Sequence, residues 1–400
     1  MWYILHSTIA LALVLSAFAF MFMKLFRIGA FINMGAHEEQ HTDFKPARWK
    51  MVAQIVFGHR KTLEDPISGL THIAFIYGFL VLGAGHTEIV LEGLTSFLRT
   101  WGVQPFSYAV VLPEPLLKAY HLSQDVMAAA VLLAVAVALA RRLLFPPKRL
   151  QPRSLDAEII LYFILALYVT FFLLQGATLL RDNGYAFELH RSQPITSAMA
   201  MWMQHLPVTD IKVIYWSMWF AHVSVFLGFG CYIPMSKHMH LVFAGPNTWF
   251  FRTGSYGWRQ HVHKDKERPL GVPPAIDFET AEKYGIDRVT ELPWKTLLDS
   301  FACTECGRCN NVCPAHNTGK PLKPKKVLHD IKVNLLKKNG EQLYALRDAF
   351  GRAQMHTKEK EAELSLVALI NNDEQPTAPL RAAGTSPAVD GQIHVDDAWA

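Results

Sequence analysis

Cysteine is scarce in this chain. There are five in 400 residues, and four of them fall between positions 303 and 313. Thiols crowded into eleven residues do not form the two well-separated C-x2-C pairs that usually hold structural zinc. The chain also lacks a Gly-rich dinucleotide fingerprint, a phosphate-cradling loop and a catalytic triad, so a flavin or nicotinamide site is not expected on it. Charge is sparse as well, at 18% of residues against 51% hydrophobic. The net charge of +5 collects in particular loops, and no nucleic-acid partner is expected.

The crowded cysteines have a specific spacing. The run Cys303-Thr304-Glu305-Cys306-Gly307-Arg308-Cys309-Asn310-Asn311-Val312-Cys313-Pro314 reads C-x2-C-x2-C-x3-C-P, which holds a 4Fe–4S cluster. Cys303, Cys306 and Cys309 share one tight loop around the cluster. Cys313, followed by the loop-ending Pro314, reaches the same cluster or a neighbouring one. The chemistry implied is electron transfer.

Long apolar runs are abundant, and mean hydropathy is positive at +0.14. Five stretches approach or exceed the ~20 residues needed to cross a bilayer: Tyr3 to Phe26, Gly69 to Leu91, Tyr120 to Phe145, Ala157 to Leu180 and Lys212 to Met235. The first does not read as a cleaved signal peptide, because Lys24 and Arg27 follow its apolar run and no basic region precedes it. Basic residues gather in two loops. One carries Arg27, Lys45, Arg48, Lys50, Arg60 and Lys61; the other carries Arg141, Arg142, Lys148, Arg149 and Arg153, with no acid until Asp156. The remaining loops hold only Arg99 and Lys118, and Arg181 and Arg191. By the positive-inside rule the N-terminus faces outward and everything after the fifth span is cytoplasmic, which predicts a multi-pass protein of the cytoplasmic (inner) membrane.

Histidines stand inside these spans, where an ionisable group is a functional candidate. His72 and His86 lie on the second span, 14 residues apart, about 21 Å along the axis and about 40° from eclipsed. His222 lies on the fifth, and His240 stands 18 residues, or five turns, beyond it. His238, 16 residues on, would point nearly opposite if the helix continued past Pro234. The expected ligands of b-type haem are therefore His72 with His240 and His86 with His222, with His121 and His238 in reserve. The other reading of each is an imidazole hydrogen-bonded to a neighbouring helix. His6, His37, His41, His59, His190, His205, His261 and His263 are expected in loops or at the surface, and Cys231 as a packed small hydrophobe.

The segments Trp219-Phe220-Ala221-His222, Ile233-Pro234-Met235-Ser236-Lys237-His238-Met239-His240 and Gly245-Pro246-Asn247 resemble the last span of the nitrate-reductase gamma-type cytochrome b module. Leu298 to Cys303, and Cys313 to Leu322, resemble membrane-bound iron–sulfur oxidoreductases that join that module to a heterodisulfide-reductase-like part. Among such proteins the chain resembles the electron-transfer-flavoprotein:menaquinone oxidoreductases. The resemblance runs from about Gly58 to Lys332 and implies one or two b haems, a 4Fe–4S cluster, a membrane quinone and a soluble partner such as an electron-transfer flavoprotein. In the gamma-type module the second-span histidines stand closer together than His72 and His86. The family continues with a second C-x2-C-x2-C-x3-C-P run. Val395-Asp396-Asp397-Ala398-Trp399-Ala400 resembles the lead-in to it, which implies an N-terminal portion working with a downstream cysteine-rich iron–sulfur part.

The fold expected is an all-α membrane protein: a five-span cytochrome b helical bundle (1–245), a proline-punctuated linker (246–290), a cytoplasmic α-helical ferredoxin-like 4Fe–4S domain (291–370) and a flexible tail (371–400). Residues 320–338, with seven lysines and one acid, read as a basic amphipathic helix on Val327, Leu328, Ile331 and Leu335, suited to anionic headgroups or an acidic partner. The expected function is quinone-linked electron transfer between a cytoplasmic donor and the quinone pool. Two other readings are a membrane-anchor subunit of a nitrate- or heterodisulfide-type reductase and a non-enzymatic redox sensor or scaffold.

Overall fold

The computed structural model describes residues 2–36, 45–147, 150, 154–251, 279 and 289–338. The expected linker, the distal part of the 291–370 domain, the tail and the 395–400 segment lie wholly or largely outside the described residues. Every regular element among the described residues is helical.

Five helices are long and apolar enough to cross a membrane. They are α1 (Trp2–Asn33), α3 (Pro66–Thr95, prolonged by a 3-10 turn to Trp101), α5 (Glu114–Leu143), α6 (Leu155–Asp182) and α8 (Val208–Tyr232, prolonged to Met235). The shorter helices α2 (Lys45–Val52), α4 (Tyr108–Val111) and α7 (Pro194–Met203) lie between them. Large apolar side chains such as Phe79, Leu133 and Val213 point outward, as lipid-facing positions do. With these five helices the chain is a membrane protein.

The described residues divide into two compact units. The first draws on Met1–Phe22, His59–Pro147 and Gln151–Ser236. Its core centres on α6, where Leu167, Phe171, Leu174 and Ala177 are buried against Trp219 and Val223 of α8 and residues of α3, α5 and α7. Close helix approach depends on small residues, as is usual in membranes. A Cβ at Gly78 would lie 2.3 Å from Val131 of α5, and one at Gly93 would lie 2.1 Å from the Trp219 ring. The helix starts follow capping chemistry. Asp65 accepts from Ser68 N, with Pro66 as the first helical residue of α3. The buried Asp125 of α5 accepts from Ile195 N, Thr196 N and Thr196 Oγ1 at the start of α7.

The second unit draws on Met23–Gly58, Lys148–Leu150 and Lys237–Ala400. Its described helices include α9 (His240–Trp249), α10 (Trp294–Ala302), α11 (Arg308–Val312), α12 (Pro314–Asn317) and α13 (Pro324–Lys338). Ile28, Phe31, Met239, Leu297, Phe301, Ile331 and Leu335 form its core, and Val327 packs against it. α13 is thus the expected amphipathic helix with its apolar face buried. Two of its lysines are ion-paired, Lys326 with Asp330 and Lys332 with Glu305.

Candidate functional site

The cysteine loop lies in the second unit. α10 ends where Cys303 turns extended. Glu305 (φ 56°) and Gly307 (φ 75°) then adopt left-handed backbone, which reverses the chain so that Gly307 caps α11 and Cys309 sits in its first turn. Cys313 is extended again, and Pro314 opens α12. All four cysteines are free thiols. Glu305 N donates to Cys303 Sγ at 3.4 Å, the backbone-to-sulfur contact that stabilises a thiolate. Burial raises the pKa of Cys303 and Cys309, and the charge of Cys306 adds to both.

Among the described residues no three His, Cys, Asp or Glu side chains converge tightly enough for a single metal ion. A cubane puts each thiolate on a different iron, so its ligands stand farther apart than those of one ion. The C-x2-C-x2-C-x3-C-P spacing is what favours a cluster over zinc. Glu305 anchors the loop, with Oε2 2.6 Å from Lys237 Nζ and Oε1 3.1 Å from Lys332 Nζ. Burial opposes its charge, but the Lys237 hydrogen bond and the Lys332, Lys237 and His329 charges hold its pKa below the usual range.

The histidines of the first unit form two couples. His86 and His222 are both buried, their ring centroids 5.0 Å apart, with His86 Nδ1 3.0 Å from His222 Nε2. Hydrogen-bond counting assigns the tautomers. Thr170 Oγ1 donates to backbone carbonyls of its own helix (Ala166 O, 2.8 Å; Leu167 O, 2.9 Å), so at 3.0 Å it accepts from His222 Nδ1–H. His222 Nε2 then carries a lone pair and accepts from His86 Nδ1–H. That leaves the lone pair of His86 Nε2 buried with no hydrogen-bond partner. Two neutral imidazoles with Nε2 lone pairs are the form that ligates haem iron, provided the direct His86–His222 hydrogen bond opens. Tyr168, Phe171 and Phe226 surround the couple.

The second couple is His72 with His59, at a centroid distance of 4.9 Å. His59 lies in a loop, as expected, but is buried rather than exposed. His6 is buried too. Its Nδ1 meets Ser96 Oγ at 2.8 Å, and its ring packs 4.1 Å from that of Trp219. Neither position carries a sequence signal, because each is buried by residues distant in the chain. His121 is half-buried on α5 beside Tyr120. His190 is half-buried and His205 exposed, while His37, His41, His261 and His263 lie outside the described residues. Cys231 is half-buried, its thiol 3.6 Å from Ala17 O.

His240 belongs to the second unit. Its Nδ1 lies 3.0 Å from Lys237 O and must donate to that carbonyl, so its Nε2 carries the lone pair. Burial lowers its pKa and favours the neutral ring, with the Lys237 hydrogen bond opposing. The continuous helix expected between His222 and His240 is not present. α8 gives way to 3-10 turns around Pro234, and Ser236 is extended (φ −122°, ψ 174°). The five-turn register between the two histidines therefore does not hold, and His238 and His240 have ring centroids 5.2 Å apart.

Known proteins resemble this chain in sequence. A Bacillus subtilis (strain 168) protein described as "Probable iron-sulfur-binding oxidoreductase FadF" is 32% identical over 333 residues, 82% of this chain and 43% of the relative. The "EtfAB:quinone oxidoreductase" of Syntrophomonas wolfei subsp. wolfei is 25% identical over 279 residues, 68% of this chain and 35% of the relative. A Chromohalobacter salexigens "Probable membrane-anchored ferredoxin" is 40% identical over 63 residues, 16% of this chain and 9% of its own length. No family model and no solved structure matches the chain. The chain spans less than half the length of these curated relatives. Its homologues are thus a probable iron–sulfur-binding oxidoreductase, an EtfAB:quinone oxidoreductase and a probable membrane-anchored ferredoxin.

Proposed function

We propose that this chain is the membrane electron-transfer portion of an iron–sulfur oxidoreductase, working between a cytoplasmic donor and the quinone pool. The observation that carries the reading is one chain holding both a four-cysteine cluster loop and, among apolar helices, the buried His86–His222 couple. Cys303, Cys306, Cys309 and Cys313 hold a 4Fe–4S cluster, and His72, His86, His222 and His240 are the haem-ligand candidates. The cofactors supply one-electron carriers; the protein supplies position and potential. The cysteine loop orients the thiolates, Glu305 fixes the loop, and Thr170 holds His222 in the ligating tautomer. The described name of one relative, an EtfAB:quinone oxidoreductase, supports an electron-transfer flavoprotein as donor and quinone as acceptor. The distribution of basic residues over the loops supports an N-terminus outside and a cluster on the cytoplasmic side.

The test is optical and paramagnetic spectroscopy on purified membranes. The reading expects a reduced-minus-oxidised b-type α-band, a reduced 4Fe–4S signal, and oxidation of both by a quinone. A missing α-band would remove the haem part; a cluster signal that quinone leaves reduced would remove the quinone part.

A further inference from the structure

The structure assigns Lys237 and Glu305 a role beyond holding the cysteine loop. We propose that their ion pair is the joint between the two redox carriers: it positions the cluster loop against the His240 segment and tunes both potentials together. This rests on the reading above, in which Cys303 holds the cluster and His240 ligates haem.

Four observations carry it, all within the second unit. First, polar contacts run from a cluster thiol to a haem-ligand candidate through only two residues. Glu305 N donates to Cys303 Sγ at 3.4 Å, Lys237 Nζ lies 2.6 Å from Glu305 Oε2, and His240 Nδ1 donates to the Lys237 carbonyl at 3.0 Å. Each end falls on a bond that governs its carrier. Hydrogen bonds to the sulfurs set a cluster's potential, and the partner of the second ring nitrogen sets the basicity of a ligating histidine.

Second, the helices bring these two ends to one place. Phe243 of α9 meets Phe301 of α10 with ring centroids 6.3 Å apart, and Lys295 Nζ of α10 donates to Asn247 Oδ1 of α9 at 2.7 Å. The two helices therefore run antiparallel, so His240, which opens α9, lies toward the end of α10 that leads into Cys303. Third, Glu305 takes left-handed backbone (φ 56°), which a residue with a Cβ rarely adopts. Glycine would make the turn freely, as Gly307 does, but would offer Lys237 no carboxylate. Strain of this kind persists where the side chain is needed and its surroundings hold it. Fourth, the pair is enclosed, with the Lys237 and Glu305 side chains 20% and 13% exposed. Such a pair is screened far less than one in open water.

The step served is a one-electron transfer: the cluster is oxidised by one electron, haem iron is reduced from ferric to ferrous, and no bond or proton moves. Tunnelling falls steeply with separation, so a contact that fixes the spacing of the two segments sets the rate.

The experiment uses the full chain purified from membranes. It measures iron and haem content, the midpoint potentials of both carriers, and the rate of haem reduction after flash photoreduction of the cluster by a soluble deazaflavin. The proposal expects Lys237→Met to keep both carriers while haem reduction slows about tenfold and both potentials shift. Lys237→Arg, which keeps the charge, should restore them. Lys332→Met removes the other partner of Glu305 without touching the His240 segment, and should shift the cluster potential alone. If Lys237→Met does not accumulate, Glu305→Gln takes its place, with the same slowing expected. A wild-type rate and an unshifted haem potential in the variant used would overturn the proposal. So would an equal effect of Lys332→Met on the haem, which would reduce the pair to a loop anchor. A wild-type protein lacking haem or cluster would overturn the reading beneath it. Both carriers present, with a wild-type rate in Lys237→Met, would sink this inference alone.

Discussion

Glu305 and Lys237 form an ion pair of 2.6 Å within the second unit, joining the cysteine loop to the segment that leads into His240. Glu305 also accepts from Lys332 at 3.1 Å, and the three side chains are at most 20% exposed. Replacing Glu305 by Ala leaves two lysines facing each other without a carboxylate. Allowing for their partial exposure, the cost is on the order of 2–3 kcal/mol. The cluster is expected to be lost faster in Glu305→Ala, with lower iron content and a broadened paramagnetic signal. A cluster as stable as wild type would show that the ion pair does not set the loop.

Thr170 sets the His222 tautomer through the 3.0 Å contact of its hydroxyl with Nδ1. Thr170→Val keeps the shape but removes the acceptor. Outer partners of metal-bound histidines are typically worth 10–100-fold in affinity. Haem retention is therefore expected to fall about tenfold in Thr170→Val and to persist in Thr170→Ser. The readouts are haem titration and the midpoint potential of the retained haem. Equal values in Val and wild type would remove Thr170 from this role.

Asp65 and Arg141 form a two-pronged pair (Nη1–Oδ1 3.1 Å, Nη2–Oδ2 2.8 Å) at the start of α3. The Arg141 hydrogen bonds hold the Asp65 carboxyl well below the ordinary range; burial opposes them, and Ser68 assists. A depressed carboxylate pKa contributes stability above the unfolded value of about 4, and that stability is lost as pH falls toward the folded value. Arg141→Ala is expected to destabilise by on the order of 1 kcal/mol at neutral pH. The difference should shrink in acid below about pH 4. Thermal unfolding across that pH range measures it, and a gap that grows in acid would contradict the assignment.

Gly93 permits the contact between α3 and Trp219, because a Cβ there would stand 2.1 Å from the indole. Trp219 is fully buried and donates from Nε1 to Ile89 O at 3.3 Å, one helical turn before His222. Gly93→Ala is expected to cost about 1–3 kcal/mol through overpacking and to weaken haem retention at His222. Gly83→Ala, with no atom within 4 Å of its Cβ, is the control and should be neutral.

The five apolar helices and the cysteine loop could be read from the sequence, because hydropathy over one span and spacing over eleven residues are local properties. The same locality made His86 and His222 visible as polar groups inside apolar runs. Tertiary structure alone showed that these two meet and that Thr170 selects their tautomers. It also showed that α8 breaks near Pro234, so no helical register can be counted from His222 to His240. Only packing revealed His6 and His59 as buried, because Trp219 and His72, their ring neighbours, lie 213 and 13 residues away in the chain. Glu305 read as a spacer between cysteines, and it became an anchor only when folding set Lys237 and Lys332 against its carboxylate. Composition and spacing specify which groups are present; which of them touch depends on long-range contacts that no local pattern encodes.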